Sequence, residues 1–355
     1  MKKFFLGLED ELLMVTETRN DHDSTSHLKG TQPTDLVVNH QNRNQIFCGT
    51  YGNGLWKSED GGESWFAIGQ VNNYHEPNKG KGIKSAYITS LAIDDTDGTL
   101  YVGTEPSELY YSQDGGLTFT EFKAIQNLPS KPFWQFPPRP YTNHVQSIAP
   151  SYSNNKGLNV AIEFGAFIYT TDFGQTWNDR PFLSPKDTHT LLAHSLAPGR
   201  LYAACGDGFL DSSSAYAESE NDGKVWKYMS KGLEAHPYLY SMAIDPENPD
   251  DRFVSASESP MKAHFKDDEK HKRYSTIYRK IDEEPWKEIS ENLPVNGSFI
   301  YELATDITES GVVYAFNNHG LFRLKIENYK WERIEIEWKE KYMTQHPSFL
   351  VVTSV

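Results

Sequence analysis

Ser58-Glu-Asp60-Gly-Gly62-Glu-Ser64-Trp65 is the first of four stretches built on one pattern. It returns as Ser112-Gln-Asp114-Gly-Gly116-Leu-Thr118-Phe119, as Thr170-Thr-Asp172-Phe-Gly174-Gln-Thr176-Trp177 and, with drift, as Ser219-Glu-Asn221-Asp-Gly223-Lys-Val225-Trp226. Its composition is that of a hairpin turn. Short polar side chains bond nearby backbone, glycine adopts conformations other residues resist, and the aromatic ring tucks against strands. Turn chemistry accounts for every position, so the pattern builds structure and carries no reaction. Two worn copies end at Trp286 and Trp331, and the six closing aromatics are 54, 58, 49, 60 and 45 residues apart. That spacing suits one four-stranded propeller blade per repeat.

A second column marks the innermost strands. Segments 35–38, 90–93, 147–150, 195–198, 241–244 and 302–305 align without gaps, large apolar residues alternating with Ala or Val, as on strands packed on both faces. The second strands are expected at 45–50, 99–104, 158–163, 200–205, 252–257 and 312–317. The seventh repeat comes from the chain ends, with 348–352 as the inner strand and 3–8 and 11–17 as the next two. Six blades would leave these terminal strands unpaired, whereas seven close the ring and remove exposed edges. The predicted fold is therefore all-β, a seven-bladed β-propeller with four-stranded blades, closed by N- and C-terminal strands in one blade. A single domain spans 1–355, with blades at about 31–70, 87–128, 144–184, 189–235, 238–294, 299–338, and 345–355 joined to 1–30.

The repeated pattern resembles the Asp-box, or BNR repeat, of the sialidase-like superfamily. The chain is similar to single-domain bacterial BNR-repeat proteins described as glycosyl-hydrolase-like. The resemblance implies a propeller but no particular reaction, since the superfamily includes sialidases, other glycoside hydrolases, polysaccharide lyases, sorting receptors and assembly factors. Sialidases use six blades, an arginine triad, a tyrosine nucleophile and an early Arg-Ile-Pro signature. This sequence lacks the signature, and Arg19, Arg43, Arg139 and Arg200 present no evident triad, so sialidase activity is not expected. Related endo-glucanases place paired carboxylates between two propellers, and only one propeller is legible here.

A net charge of −15 argues against nucleic acid or an anionic membrane as partner. No run approaches the roughly 20 apolar residues of a membrane span. The start, Met1 to Leu8, imitates a signal peptide, but Glu9, Asp10 and Glu11 interrupt it, and the segment reads as a strand. Cys48 and Cys205 occupy corresponding places in different repeats, so a disulfide is not expected and a reduced, cytoplasmic setting is favoured.

In such a blade, the loop into the inner strand and the loop between the second and third strands share one face, and the repeated turns lie on the other. The first set brings Tyr87, Arg139, His144, His189, His236, Tyr238 and His346 to the mouth of the central channel. The second brings Glu9, Tyr51, Glu105, Glu163, Asp207, Glu258 and His319. Imidazoles and carboxylates held by loops on a rigid scaffold are the materials of catalytic and metal sites. His144, His189, Glu105 and Glu163 are the candidate acid–base residues, or alternatively ligands of a divalent metal ion. Arg139, delivered by a proline-rich insertion, is read as an unpaired clamp for an anionic group. Tyr51, Tyr87, Asp207, Tyr238 and Glu258 are read as further substrate contacts. The blander reading of each His is a hydrogen-bonded structural residue, and of Glu105 and Glu163 a bond to neighbouring amides. His194 falls in the inner-strand column and reads as packing, and Tyr240 and Tyr301 share that column and read as rim or core. The expected activity is of hydrolase or lyase type on a small polar or anionic molecule. The alternative is a binding propeller for a carbohydrate or a protein, the carbohydrate case predicting exposed Tyr51, Tyr74, Trp134 and Tyr141 along a groove. The charged run 261–273 reads as a solvated insertion or, alternatively, as a lid over the mouth.

Overall fold

The computed structural model describes residues 1–19, 21–69, 82–265 and 272–354. Seven four-stranded antiparallel sheets form a ring. In chain order, blades 1 to 6 start with inner strands Pro33–Val38, Ile88–Ile93, Val145–Pro150, Thr188–Ala193, Tyr238–Asp245 and Glu302–Ala304. In blade 7, C-terminal Pro347–Ser354 pairs with Lys2–Leu8, followed by Leu12–Glu17 and His22–His27. The apolar, signal-like start is thus a buried strand of the closing blade.

The repeated turns join third to fourth strands and use their residues as their chemistry demands. In the second, Asp114 accepts from Ser112 Oγ at 2.8 Å and from the Thr118 amide at 2.9 Å, while Ser112 Oγ accepts from the Gly116 amide. Gly116 sits at φ +89°, where a side chain would be strained and would also strike Ile68. Three more turns repeat these bonds from Asp60, Asp172 and Asn221. Asp114→Ala is expected to lower the unfolding free energy by about 1–2 kcal/mol through the stranded amides, read as a shift in the urea midpoint.

The 195–198 segment is corrected. The inner strand of blade 4 is Thr188–Ala193, and 194–200 form the connection to Leu201–Cys205. Ser195-Leu-Ala-Pro198 resembles its neighbours in sequence, but Ala193 already pairs with Leu201, which leaves 195–198 outside the ladder. His194 follows the strand and is fixed by the Asp245 carbonyl at 3.0 Å.

One irregularity governs the channel. In blades 1 to 4 the inner strand carries a bulge after its first residue, leaving Thr34, Thr89, Gln146 and His189 unpaired; blade 5 leaves Tyr240 and Ser241. A bulge re-aims a side chain, and Thr34, Thr89, Gln146, His189 and Tyr240 all line a central cavity of about 350 Å³. Several also clasp the next blade. Thr34 Oγ1 donates to Ile88 O (2.8 Å), Thr89 Oγ1 to Val145 O (2.7 Å), and His189 Nδ1 to Leu239 O (2.6 Å).

Candidate functional site at the channel mouth

Glu105 and Glu163 each follow directly on a second strand, Leu100–Thr104 and Leu158–Ile162. They occupy equivalent positions in blades 2 and 3. His144 and Asp187 are likewise equivalent, each two residues before a bulge residue. The next blade therefore adds a carboxylate where blade 3 has an imidazole.

These side chains meet in a row. Arg139 Nη2 donates to Glu105 Oε2 at 2.7 Å, and the same oxygen lies 3.7 Å from His144 Nδ1. His144 Nε2 lies 2.5 Å from Glu163 Oε2 and 2.9 Å from Gln146 Oε1. Beyond Glu163 stands His189, whose Nε2 is 3.8 Å from Glu163 Oε1 and 3.7 Å from Asp187 Oδ1. His144 and His189 are buried, Glu163 and Asp187 nearly so.

The charge distribution follows from these contacts. Burial opposes a charged His144, but the adjacent Glu163 carboxylate, with Gln146 and Glu105, outweighs it and raises the imidazole above its ordinary range. Burial likewise opposes ionisation of Glu163, and the His144 charge and contact, with His189 and Arg139, reverse this and lower its carboxyl. Asp187 is pushed up to about 6 by burial, partly offset by His189 and reinforced by Glu163 and Asp207. The contacts thus favour the protonated form of His144 between carboxylates, while the 163–187–189 end gathers two carboxylates around one imidazole.

The sequence readings divide. Glu105, Glu163, His144 and His189 are brought together as expected, and Tyr51 donates to Glu105 Oε1 at 3.1 Å. Tyr87 is half exposed and packs its ring on Tyr51 at 4.7 Å. Arg139 is corrected from an unpaired clamp to a partner of Glu105, sandwiched by Tyr51 and Phe136 at 5.2 and 4.9 Å, with its Nε unbonded. Asp207 turns away to accept the amides of Lys186 and Asp187, a bond that sets Asp187 rather than one that faces a ligand. Glu258 pairs with Lys262 at 2.7 Å in a half-exposed position outside the row. His236 stacks on Tyr274, and His319 contacts the Gly297 carbonyl; neither joins the row. The aromatic groove does not assemble, because Trp134 is buried with Nε1 on Ser130 Oγ; Tyr74 lies outside the described residues.

Part of the 261–273 run is not solvated. Pro260–His264 forms a helical turn capped by Ser259, with Ala263 buried; residues 266–271 lie outside the described ones. His264 reaches inward to make a directional relay. Tyr238 Oη lies 2.8 Å from His264 Nε2, His264 Nδ1 lies 2.7 Å from His346 Nε2, and His346 Nδ1 contacts the Pro347 carbonyl. The carbonyl can only accept, which fixes a proton on His346 Nδ1; His264 Nδ1 then donates to His346, and Tyr238 donates to His264, with both rings neutral. Burial, with His346 and His189 nearby, holds His264 well below its ordinary value, and burial with Arg273, opposed by the Pro347 carbonyl, lowers His346 to about 4. Folded-state values depressed below the unfolded one give stability that is complete above about pH 6.5 and is lost as pH falls toward 4. The expected loss is about 1–3 kcal/mol, measured by urea unfolding across that range and flattened in His346→Gln.

Two channel carboxyls escaped sequence reading. Asp35 accepts the amides of Leu36 and Leu91 and is pushed up to about 7 by burial. Glu302 is buried with Oε1 unbonded and is raised well above its usual range by burial and by Asp35. Both stand in the aligned inner-strand column otherwise held by serine or threonine, and that exchange is the signal that would have found them.

No protein-family model and no curated protein matches the chain. Solved structures do. An ancestral GH74 enzyme superposes with a TM-score of 0.62 at 15% identity, covering 87% of this chain and 39% of that one. The GH74 enzyme of Niastella koreensis gives 0.58 at 16%, covering 82% and 45%. The chain thus spans less than half the length of these two enzymes. YCF48 from Cyanidioschyzon merolae gives 0.58 at 10% and covers 87% of both chains, and YCF48 bound to D1 peptide gives 0.58 at 15%, covering 87% and 84%. The likeness is of fold alone.

Proposed function

We propose that the chain is an enzyme of hydrolase or lyase type acting on a small polar or anionic molecule at the channel mouth. The observation that carries this is the continuous row Arg139–Glu105–His144–Glu163, extended to His189 and Asp187, assembled from four separate loops and bulges around a cavity. A binding surface has no need of so many nearly buried charges in mutual contact, because they cost desolvation energy. In this reading Arg139 orients an anionic group in exchange with Glu105. His144, protonated between carboxylates, donates a proton to the leaving atom. The electron-rich end at Glu163, Asp187 and His189 activates water or withdraws a proton. Membership of the Asp-box superfamily and a reducing compartment, supported by the two buried free thiols, belong to the same proposal.

The test is a substrate-class screen of phosphoesters, glycosides, lactones and β-eliminable uronates, with products followed by NMR. Turnover by the parent and its loss in His144→Gln is the expected result. Turnover unchanged by that substitution, or none in any class, would overturn the assignment.

A second reading, a protein-binding propeller, is favoured by one observation. Phe133, Tyr141, Phe182 and Leu210 are 70, 85, 86 and 74% exposed on loops of the mouth face, and YCF48, a neighbour of similar length, is seen with a peptide. Retention of a peptide array on the parent but not on Phe182→Ser/Leu210→Ser would support it.

A further inference from the structure

We propose that Glu163, Asp187 and His189 form a binding site for one divalent transition-metal ion at the seam of blades 3 and 4. The inference deepens the reading above and rests on it for the use of the metal, but not for its binding.

The three side chains are spaced as ligands of one ion would be. One ligand atom from each of Glu163, Asp187 and His189 lies within 4.8 Å of the others, the one such group among the described residues. The imidazole nitrogen stands 3.8 and 3.7 Å from the two oxygens, beyond hydrogen-bond reach. Atoms bound at about 2.0–2.2 Å to one ion stand only slightly closer than this.

His189 is 95% buried, being 5% exposed, and its Nδ1 is committed to the Leu239 carbonyl at 2.6 Å. That bond commits a proton to Nδ1 and turns Nε2 toward two carboxylates, neither within hydrogen-bond reach. A metal ion at the centre of the three atoms would take the place of the hydrogen bonds they do not make. The clasp itself needs no imidazole. Thr34 and Thr89 do the same work from equivalent bulges in blades 1 and 2, so histidine here supplies a second nitrogen that the fold does not use.

Each ligand is also held from behind, as metal ligands are. His144 Nε2 is on Glu163 Oε2, leaving Oε1 for the ion. The Phe164 amide donates to Asp187 Oδ1 at 3.2 Å, and Leu239 holds His189. Space is provided by a departure from the repeat. Where blades 2 and 3 carry Glu105 and Glu163, blade 4 carries Gly206, and a methyl group there would collide with the Asp187 carboxylate and stand 2.6 Å from His189 Cε1. One imidazole with two carboxylates suits ions of the Zn²⁺ and Mn²⁺ class, with open positions for water, whose acidity such an ion raises. This set replaces the one read from sequence, in which Glu105 and His144 were ligands. Glu105 is engaged by Arg139 and Tyr51, and His144 lies behind Glu163.

The experiment is equilibrium dialysis of full-length protein against Zn²⁺ and, separately, Mn²⁺, with elemental analysis and Mn²⁺ spin resonance. The parent is expected to hold near-stoichiometric metal, Glu163→Gln, Asp187→Asn and His189→Gln to lose it, and Glu291→Gln, on an exposed turn, to keep it. His144→Ala is expected to weaken binding about 10–100-fold through its hold on Glu163. Metal-free melting curves establish that each variant is folded, and the near-isosteric Asp187→Asn decides the matter if His189→Gln is not. No retained metal in the parent, or parent-like affinity in the folded ligand variants, would overturn the site. Metal binding without turnover of any substrate class supports the site while removing the catalytic reading; turnover by a parent protein that takes up no metal supports the catalytic reading while overturning the site.

Discussion

Glu218→Gln is expected to lower the unfolding free energy by about 3–5 kcal/mol, the largest single effect on stability among the substitutions considered. Glu218 lies at the junction of blades 4 and 5, on the side remote from the mouth, 5% exposed. Oε2 accepts from Arg200 at 2.8 and 2.5 Å, while Oε1 lies 3.1 Å from fully buried Arg252 and accepts from Tyr216 at 2.7 Å. Arg252 has no water to turn to, and its Nε is already unbonded. Glutamine keeps the shape but removes the charge and puts an amide N–H against a guanidinium. Urea unfolding of Glu218→Gln, Arg252→Met and the double Glu218→Leu/Arg252→Met checks this. The double variant is expected to lose less than the two singles together, because removing both charges leaves no uncompensated ion. A loss under about 1 kcal/mol in the single variant would mean that the arginines rehydrate or re-pair with half-exposed Asp250, which already contacts both.

The fold was legible because its signals are local and periodic. A turn such as Ser112–Phe119 is satisfied by its own residues, so its chemistry is written contiguously, and a spacing of one blade repeats it. The inner strand of blade 4 was misplaced for the converse reason. Ser195-Leu-Ala-Pro198 resembles Ser147-Ile-Ala-Pro150 letter for letter in its small and apolar pattern, and only the pairing of Ala193 with Leu201 shows where the strand stops. The row of charges was legible as a set of loop residues, since strand order alone assigns loops to faces. Partnership was not. Arg139 meets Glu105, and Asp207 turns to backbone amides, through choices of side-chain direction made across blades. The bulges were illegible for a similar reason: an unpaired Thr34 or His189 is defined by the register of its partner strand. Once the bulge column is known, His189 is conspicuous as an imidazole among residues whose clasp a threonine can make.

His144→Gln is expected to reduce kcat for the mouth reaction by about 10²–10⁴-fold, the range for loss of a positioned acid, with KM changed much less. Glutamine retains a donor toward Glu163 and comparable bulk, so the row keeps its spacing while losing its transferable proton; the loss then belongs to chemistry and not to collapse of the site. Arg139→Lys is expected to behave oppositely, raising KM more than it lowers kcat, because a lysine keeps a positive charge near Glu105 but not the planar group packed between Tyr51 and Phe136. The pair of kinetic signatures separates proton donation from substrate orientation, and steady-state kinetics on the class identified by the screen measures both. Equal losses in kcat from the two substitutions would mean that Arg139, Glu105 and His144 act as one unit, positioned jointly through the shared Glu105 oxygen that lies 2.7 Å from the arginine and 3.7 Å from the imidazole.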